Sequence, residues 1–169
     1  VPNKDNILYY LLGLVGAGVL VGLFLYSTRG AHVELKGSIL KVRTLASDES
    51  NSVAIVDFRV VNPSDYSFMV RNVTVSVEDK QGNSIEGQTI SDIDAKRLFD
   101  YYKELGPKYN DSLMMRARVS PKQSLDRMIA ASFPISQEKL EHRKGIKLVV
   151  EEVDGPAETR FSTLNEVVK

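Results

Sequence analysis

The fold class this sequence predicts is mainly β: an immunoglobulin-like antiparallel β-sandwich with one inserted helix, preceded by a single transmembrane α-helix. Three observations predict it. An uncharged apolar run lies near the start of the chain, short alternating runs separated by turn-forming clusters fill most of the remainder, and one stretch carries helix start and stop signals in their midst. At 169 residues the chain is long enough for one domain with its own core plus an appendage.

The apolar run comes first. No charged residue occurs between positions 6 and 28, and residues 7–26 read ILYYLLGLVGAGVLVGLFLY. As a helix that stretch covers about 30 Å, the thickness of a bilayer's hydrocarbon core. Tyr9 and Tyr10 near one end and Tyr26 at the other suit the headgroup level, and Arg29 follows as an anchor. A cleaved signal peptide fits less well, because the run is too long and its exit, Tyr26-Ser27-Thr28-Arg29, lacks a small-residue cleavage pattern. Gly18 and Gly22 form one pair of small residues four apart, and Gly13 with Ala17 forms a second, rotated by roughly 140°. Two flat faces suit two neighbouring helices, although glycine is also simply common in membrane helices. The expected organisation is a tail at 1–6, a transmembrane helix at 7–28, a linker at 29–32 and a β-sandwich domain at 33–169. Lys4 on one side nearly balances Arg29 and Lys36 on the other, so the layout of a short tail before the span decides orientation. It places the tail inside and the domain outside, with a bacterial inner membrane and a periplasmic domain as the expected location. A linker of about six residues holds the domain within about 20 Å of the bilayer.

Within the domain, residues 33–44 read as a first strand, and the polar cluster 47–51 as its turn. Next, Ala54, Val56, Phe58 and Val60 alternate with Ile55, Asp57, Arg59 and Val61, so the first set faces the core. Asn62-Pro63-Ser64-Asp65 ends that strand. Residues 68–79 form the third, with Val73, Val75 and Val77 inward, and Gln81-Gly82-Asn83 turns the chain into a fourth at 84–90. The inserted helix occupies about 91–106: Ser91 is its N-cap, Asp92 and Asp94 complement the dipole, and Gly106-Pro107 stops it. Leu98, Tyr101, Tyr102 and Leu105 share a face expected to close one end of the sandwich. Strands follow at 112–119 and 125–133, the second with Met128 and Ala130 on one side. One or two helical turns are expected at 136–143, and a closing hairpin at 146–153 and 159–164.

The stretch IVDFRVVNPSDYSFMVRNVTVSVEDKQGNSIEG (55–87), with its Asn-Pro strand ending and later Gly turn, resembles the LEA14 or water-stress-and-hypersensitive-response family of β-sandwiches. Residues 128–155, ending in LVVEEVDG, look similar to that fold's last strands. The resemblance covers about two-thirds of the domain and implies a sandwich with a non-catalytic binding or stabilising role. It brings no catalytic residues, and the insertion at 91–119 departs from the family pattern.

Chemistry is sparse. Lys and Arg total 22, as do Asp and Glu, a balance that argues against nucleic acid as a partner. There is no cysteine, and the two histidines, His32 and His142, lie too far apart to suggest a metal site. The nucleophile-elbow, phosphate-loop, dinucleotide and metalloprotease patterns are all missing. The tightest acid pairs are weak candidates: Asp92 and Asp94 serve a helix start, while Glu151 and Glu152 point to opposite faces of a strand. No cofactor, metal or small-molecule substrate is therefore expected, nor an enzymatic activity. Asn72 and Asn110 begin glycosylation sequons to which no function is assigned. Lys139, His142, Arg143, Lys144 and Lys147 form the densest basic run. Its ordinary role is to complement a helix C-terminus, and its candidate function is headgroup contact by Lys139, Arg143, Lys144 and Lys147. The leading expectation is an accessory subunit that braces a larger membrane complex, photosynthetic or respiratory, with other membrane subunits and the bilayer as partners. The alternative is a free-standing stress-protective protein of the LEA14 type.

Overall fold

Period-two alternation commits the segments between the turn clusters to strands, and where both parities are apolar the strand must be covered on both faces. The computed structural model describes residues 4–28, 34–153 and 158–162; within the first helix, side-chain surroundings are described at 9, 10 and 12–25. The chain divides into two compact units, Val1–His32 and Val33–Lys169.

The first unit contains α1 (Lys4–Thr28), whose residues are apolar all round rather than on one face. Every described side chain on it is exposed, Tyr9 at 73% and Phe24 at 70% among them. Among the described residues no helix is long and apolar enough to cross a membrane. The uninterrupted stretch of described side chains in α1, 12–25, covers only about 21 Å.

The second unit is an antiparallel curled sheet. Among the described residues its strands are β1 (Lys36–Ala46), β2 (Ser52–Val61), β3 (Phe68–Glu78), β4 (Ser84–Ile90), β5 (Arg118–Val119), β6 (Ser124–Phe133), β7 (Gly145–Glu152) and β8 (Glu158–Ser162). They follow the order β1-β2-β6-β4-β3-β7-β8, with β5 beside the start of β3. The curl brings the first strand round to the last, where the Leu35 amide donates to Thr159 Oγ1 at 3.0 Å. Strand β4 makes the turn of the sheet possible: Ser84 to Gly87 pair with β3, and Gln88 to Ile90 pair with β6. Gly87 at the crossover lies under the Phe133 ring, and a Cβ there would sit 2.5 Å from it.

Inside the curl, Val56, Phe58 and Val60 of β2 meet Val73, Val75 and Val77 of β3, Phe133 of β6, and Leu148 and Val150 of β7. A second cluster lies on the outer face, where Val53 and Ile55 of β2 and Met128 and Ala130 of β6 are covered by Ala95 and Phe99 of α2 (Asp92–Tyr101) and by Leu105. The inserted helix therefore covers the outer sheet face rather than closing an end. Its contacts come from Ala95, Phe99 and Leu105, with Leu98 and Tyr102 partly buried, whereas Tyr101 is 80% exposed. The spacing of Ala95 and Phe99, one helical turn apart, sets that face. The α-helix ends at Tyr101 and a 3₁₀ turn, Lys103–Leu105, completes the insertion before Gly106.

The expected strand at 112–119 is a correction. Ser112 makes only an isolated bridge with Met128, and pairing resumes at β5. Between them Met114 to Ala117 form a tight turn, the Ala117 amide donating to Met114 O, with Arg116 at φ 65°. A left-handed residue cannot continue an extended strand, and Met-Met-Arg-Ala lacks the β-branched residues that favour one. At the other end of the domain, Ser136 caps α3 (Gln137–Glu141), which is anchored by buried Leu140. The last strand, β8, starts at Glu158 and lies within the expected hairpin, whose residues 154–157 and 163–164 are outside the described ones.

Candidate functional site

The candidate residues and the polar clusters of the structure fall at three separate places. At the end of the sheet where β3 turns into β4, Asp79 holds the hairpin: its carboxylate accepts from the Asn83 side chain at 2.9 Å, the Asn83 amide at 2.8 Å and the Gln81 amide at 2.9 Å. The Asn83 side-chain bond and these amides hold its pKa below the ordinary carboxylate value, so the charge is committed to the turn. Gly82 supplies the positive φ of 87° that the turn requires. Across from the hairpin stands α3, and between them opens a cavity of about 540 Å³. Val77, Ile85 and Ile135 give it apolar walls, while Lys80, Lys139, His142 and Arg143 line its polar side.

The structure brings Lys139, His142 and Arg143 of the basic run to this cavity and leaves Lys144 and Lys147 outside it. Lys144 pairs with Glu78, and Lys147 lies exposed on β7 opposite Ser76 and Ser162. Part of the run caps α3: Arg143 donates to Leu140 O at 3.0 Å, and His142 Nδ1 lies 2.8 Å from Glu138 O. The helix C-terminus thus takes the role that its dipole favours. Glu138 also lines the cavity, and Ser136 is occupied as the N-cap. The lining therefore mixes apolar walls with charges of both signs, Asp79 and Glu138 standing beside the cations.

The second place is the outer face beneath α2, and sequence reasoning missed it. Arg43 of β1 and Asp57 of β2 form an ion pair at 2.7 Å, with side chains only 8% and 5% exposed. The guanidinium also donates to Leu105 O at 2.8 Å and Pro107 O at 3.0 Å, lies 4.9 Å from the Phe99 ring centre, and leaves Nε buried without a partner. Asn110 donates to the other Asp57 oxygen at 2.8 Å. The pair straps the segment after α2 to the sheet. Its signal in the sequence is Asp57 itself, the one acid of β2, on a parity that also carries Val53 and Ile55. Beside this segment Lys108 meets Asp92 at 2.9 Å, so that carboxylate serves the insertion and not a dyad. Asp94 likewise accepts from Ser91 at 2.7 Å and pairs with Arg97 at 3.0 Å, while Glu152 is buried and Glu151 half-buried on opposite faces of β7. No group of three or more metal-ligating side chains gathers among the described residues.

The third place is α1. A Cβ built at Gly13, Gly16, Gly18 or Gly22 meets nothing within 4 Å among the described residues. Ala17 lies on the same helix and is exposed. Tyr9 and Tyr10 are exposed near its start; Tyr26 is helical with its side chain outside the description, and Arg29 lies outside the described residues. Comparison with known proteins returns no matching family model, no matching curated protein and no matching solved structure.

Proposed function

We propose that the chain is a non-catalytic, membrane-anchored accessory subunit: α1 is the anchor, and the β-domain braces an extramembrane surface of a larger membrane protein complex. The observation that carries this reading is the 25-residue helix itself, apolar on every side and exposed at every described side chain. Such a surface is stable among lipid tails or against other helices and costly in water. The described side chains alone fall short of a span, but the uncharged sequence continues to both sides of them and reaches about 30 Å over residues 7–26. The faces at Gly18 with Gly22, and at Gly13 with Ala17, supply close-packing surfaces for neighbouring helices.

For the domain we propose the immunoglobulin-like sandwich of the LEA14 type. Its support is a strand order in which β4 leaves one ladder for the other across a shared core, as a two-layer sandwich requires. The proposed location is a bacterial inner membrane, with the domain on the periplasmic side. Purification of the full chain from its native membrane in a mild detergent tests the reading. Recovery with other membrane subunits at fixed stoichiometry is expected, and recovery as a lone monomer would overturn it.

A further inference from the structure

At the end of the domain where the chain enters at Leu35, two segments are laced together. Asn62, fully buried, donates through Nδ2 to Tyr66 O at 2.7 Å and Val119 O at 3.0 Å, and its amide donates to Gln123 O. Val70 exchanges backbone hydrogen bonds with the turn at 114–117, accepting from Arg116 N and donating to Ala117 O. The result is a firm platform made of residues 62–71 and 114–123.

This platform shows both large apolar side chains and cations to solvent. Tyr66, Met114 and Met115 are exposed at 67%, 57% and 70%. Arg71, Arg116, Arg118 and Lys122 are exposed among them. Asp65 pairs with Lys122 at 3.2 Å, and Glu151 stands across from Asn72 on β7; no other acid belongs to the two segments. Arg116 and Lys122 are, moreover, the positive-φ residues other than glycine among those described, at 65° and 57°. A left-handed conformation costs an L-residue energy that glycine avoids, so two cations stand where glycine would be cheaper. Lys122 spends its charge on Asp65 and on the Pro63 carbonyl, to which Nζ donates at 2.7 Å, whereas the pattern at Arg116, whose side chain is exposed, points to a use for that charge.

We propose that this face docks on an anionic lipid surface, with Met114, Met115 and Tyr66 entering the headgroup layer and Arg71, Arg116 and Arg118 engaging lipid phosphates. Flexible thioethers and a tyrosine ring suit the interfacial layer, and each cation close to an anionic bilayer adds attraction that salt screens. The inference rests on the anchor reading, which puts the entry end of the domain beside the bilayer. It also reassigns headgroup contact. The basic run at Lys139 to Lys147 lies at the opposite end of β3 and β7, because Gly145 pairs with Glu78 whereas Glu152 pairs with Val70.

The chain has no cysteine, so Met115→Cys and Gln81→Cys each give a full-length protein with one spin-label site. The two variants are reconstituted in phosphatidylcholine vesicles with and without phosphatidylglycerol. Flotation is scored first, then label accessibility to an aqueous nickel chelate. In anionic vesicles the label at 115 is expected to lose accessibility while that at 81 keeps it, and the loss should vanish in high salt. Adding Arg116→Gly should restore part of the accessibility at 115 without lowering the melting temperature, an outcome a purely structural role does not give. A chain that floats while its label at 115 stays as accessible as at 81 overturns this inference and leaves the anchor standing. Equal protection in neutral and anionic vesicles overturns the headgroup assignment, as does protection that appears only when other membrane proteins are added. A chain that does not float removes both readings.

Discussion

Asp57 and Arg43 show how one residue position carries information that a pattern conceals. By alternation Asp57 belongs to the polar parity of β2, yet it is 3% exposed because α2 and the loop after it cover that face. A buried carboxylate survives only when its charge is matched and its oxygens are bonded, and here Arg43 and Asn110 supply both. Asp57→Ala leaves the guanidinium buried without its counter-charge and should cost about 3–5 kcal/mol. Replacing both partners, as Arg43→Met with Asp57→Leu, should recover most of that loss. Urea unfolding of the two singles and the double measures the coupling, and additive losses would mean the pair is not coupled. Asn62 tells the opposite story. Its place before Pro63 marked a strand end directly, because proline restricts the residue before it, but the bonds that make it a buried junction depend on segments far along the chain.

At the scale of elements, most strands and both capped helices of the domain were legible. The alternation of Val73, Val75 and Val77 names the inner face of β3, and Ser91 and Ser136 mark helix starts through their side-chain oxygens. Two things were not legible. The face that α2 covers is the one bearing Val53 and Ile55, whose parity also carries Asp57 and Arg59 and so reads as the polar side of β2. The break at 114–117 rests on Arg116 taking a conformation for which its side chain gives no signal. The bend in β4 lies between these cases: Gly87 is visible as a strand glycine, but its reason is the approach of Phe133. Gly87→Ala forces its new methyl against a ring that is only 1% exposed and cannot swing away. The expected cost is about 1–3 kcal/mol of stability, read as a lowered melting temperature, and Phe133→Leu in the same chain should relieve part of it. An unchanged melting temperature in Gly87→Ala would mean that the crossover is looser than the packing describes.

For the whole molecule, the two units divide the physics between them. Val33–Lys169 buries its apolar residues in clusters on both sides of β2 and β6, whereas α1 leaves every described apolar side chain uncovered. Water does not favour so much exposed apolar surface, and the uncharged, glycine-bearing run at 6–28 is the basis of the proposed anchor. The acids singled out in the sequence serve a helix start and ion pairs, Asp94 with Arg97 and Asp92 with Lys108, and a cavity opens beside α3. The account therefore stands on the hydrophobic match between α1 and a bilayer. Membranes bearing the full chain, washed in alkaline carbonate and floated on a density gradient, test that match most directly. The chain is expected to remain with the floating membranes, and its release into the wash would contradict the account.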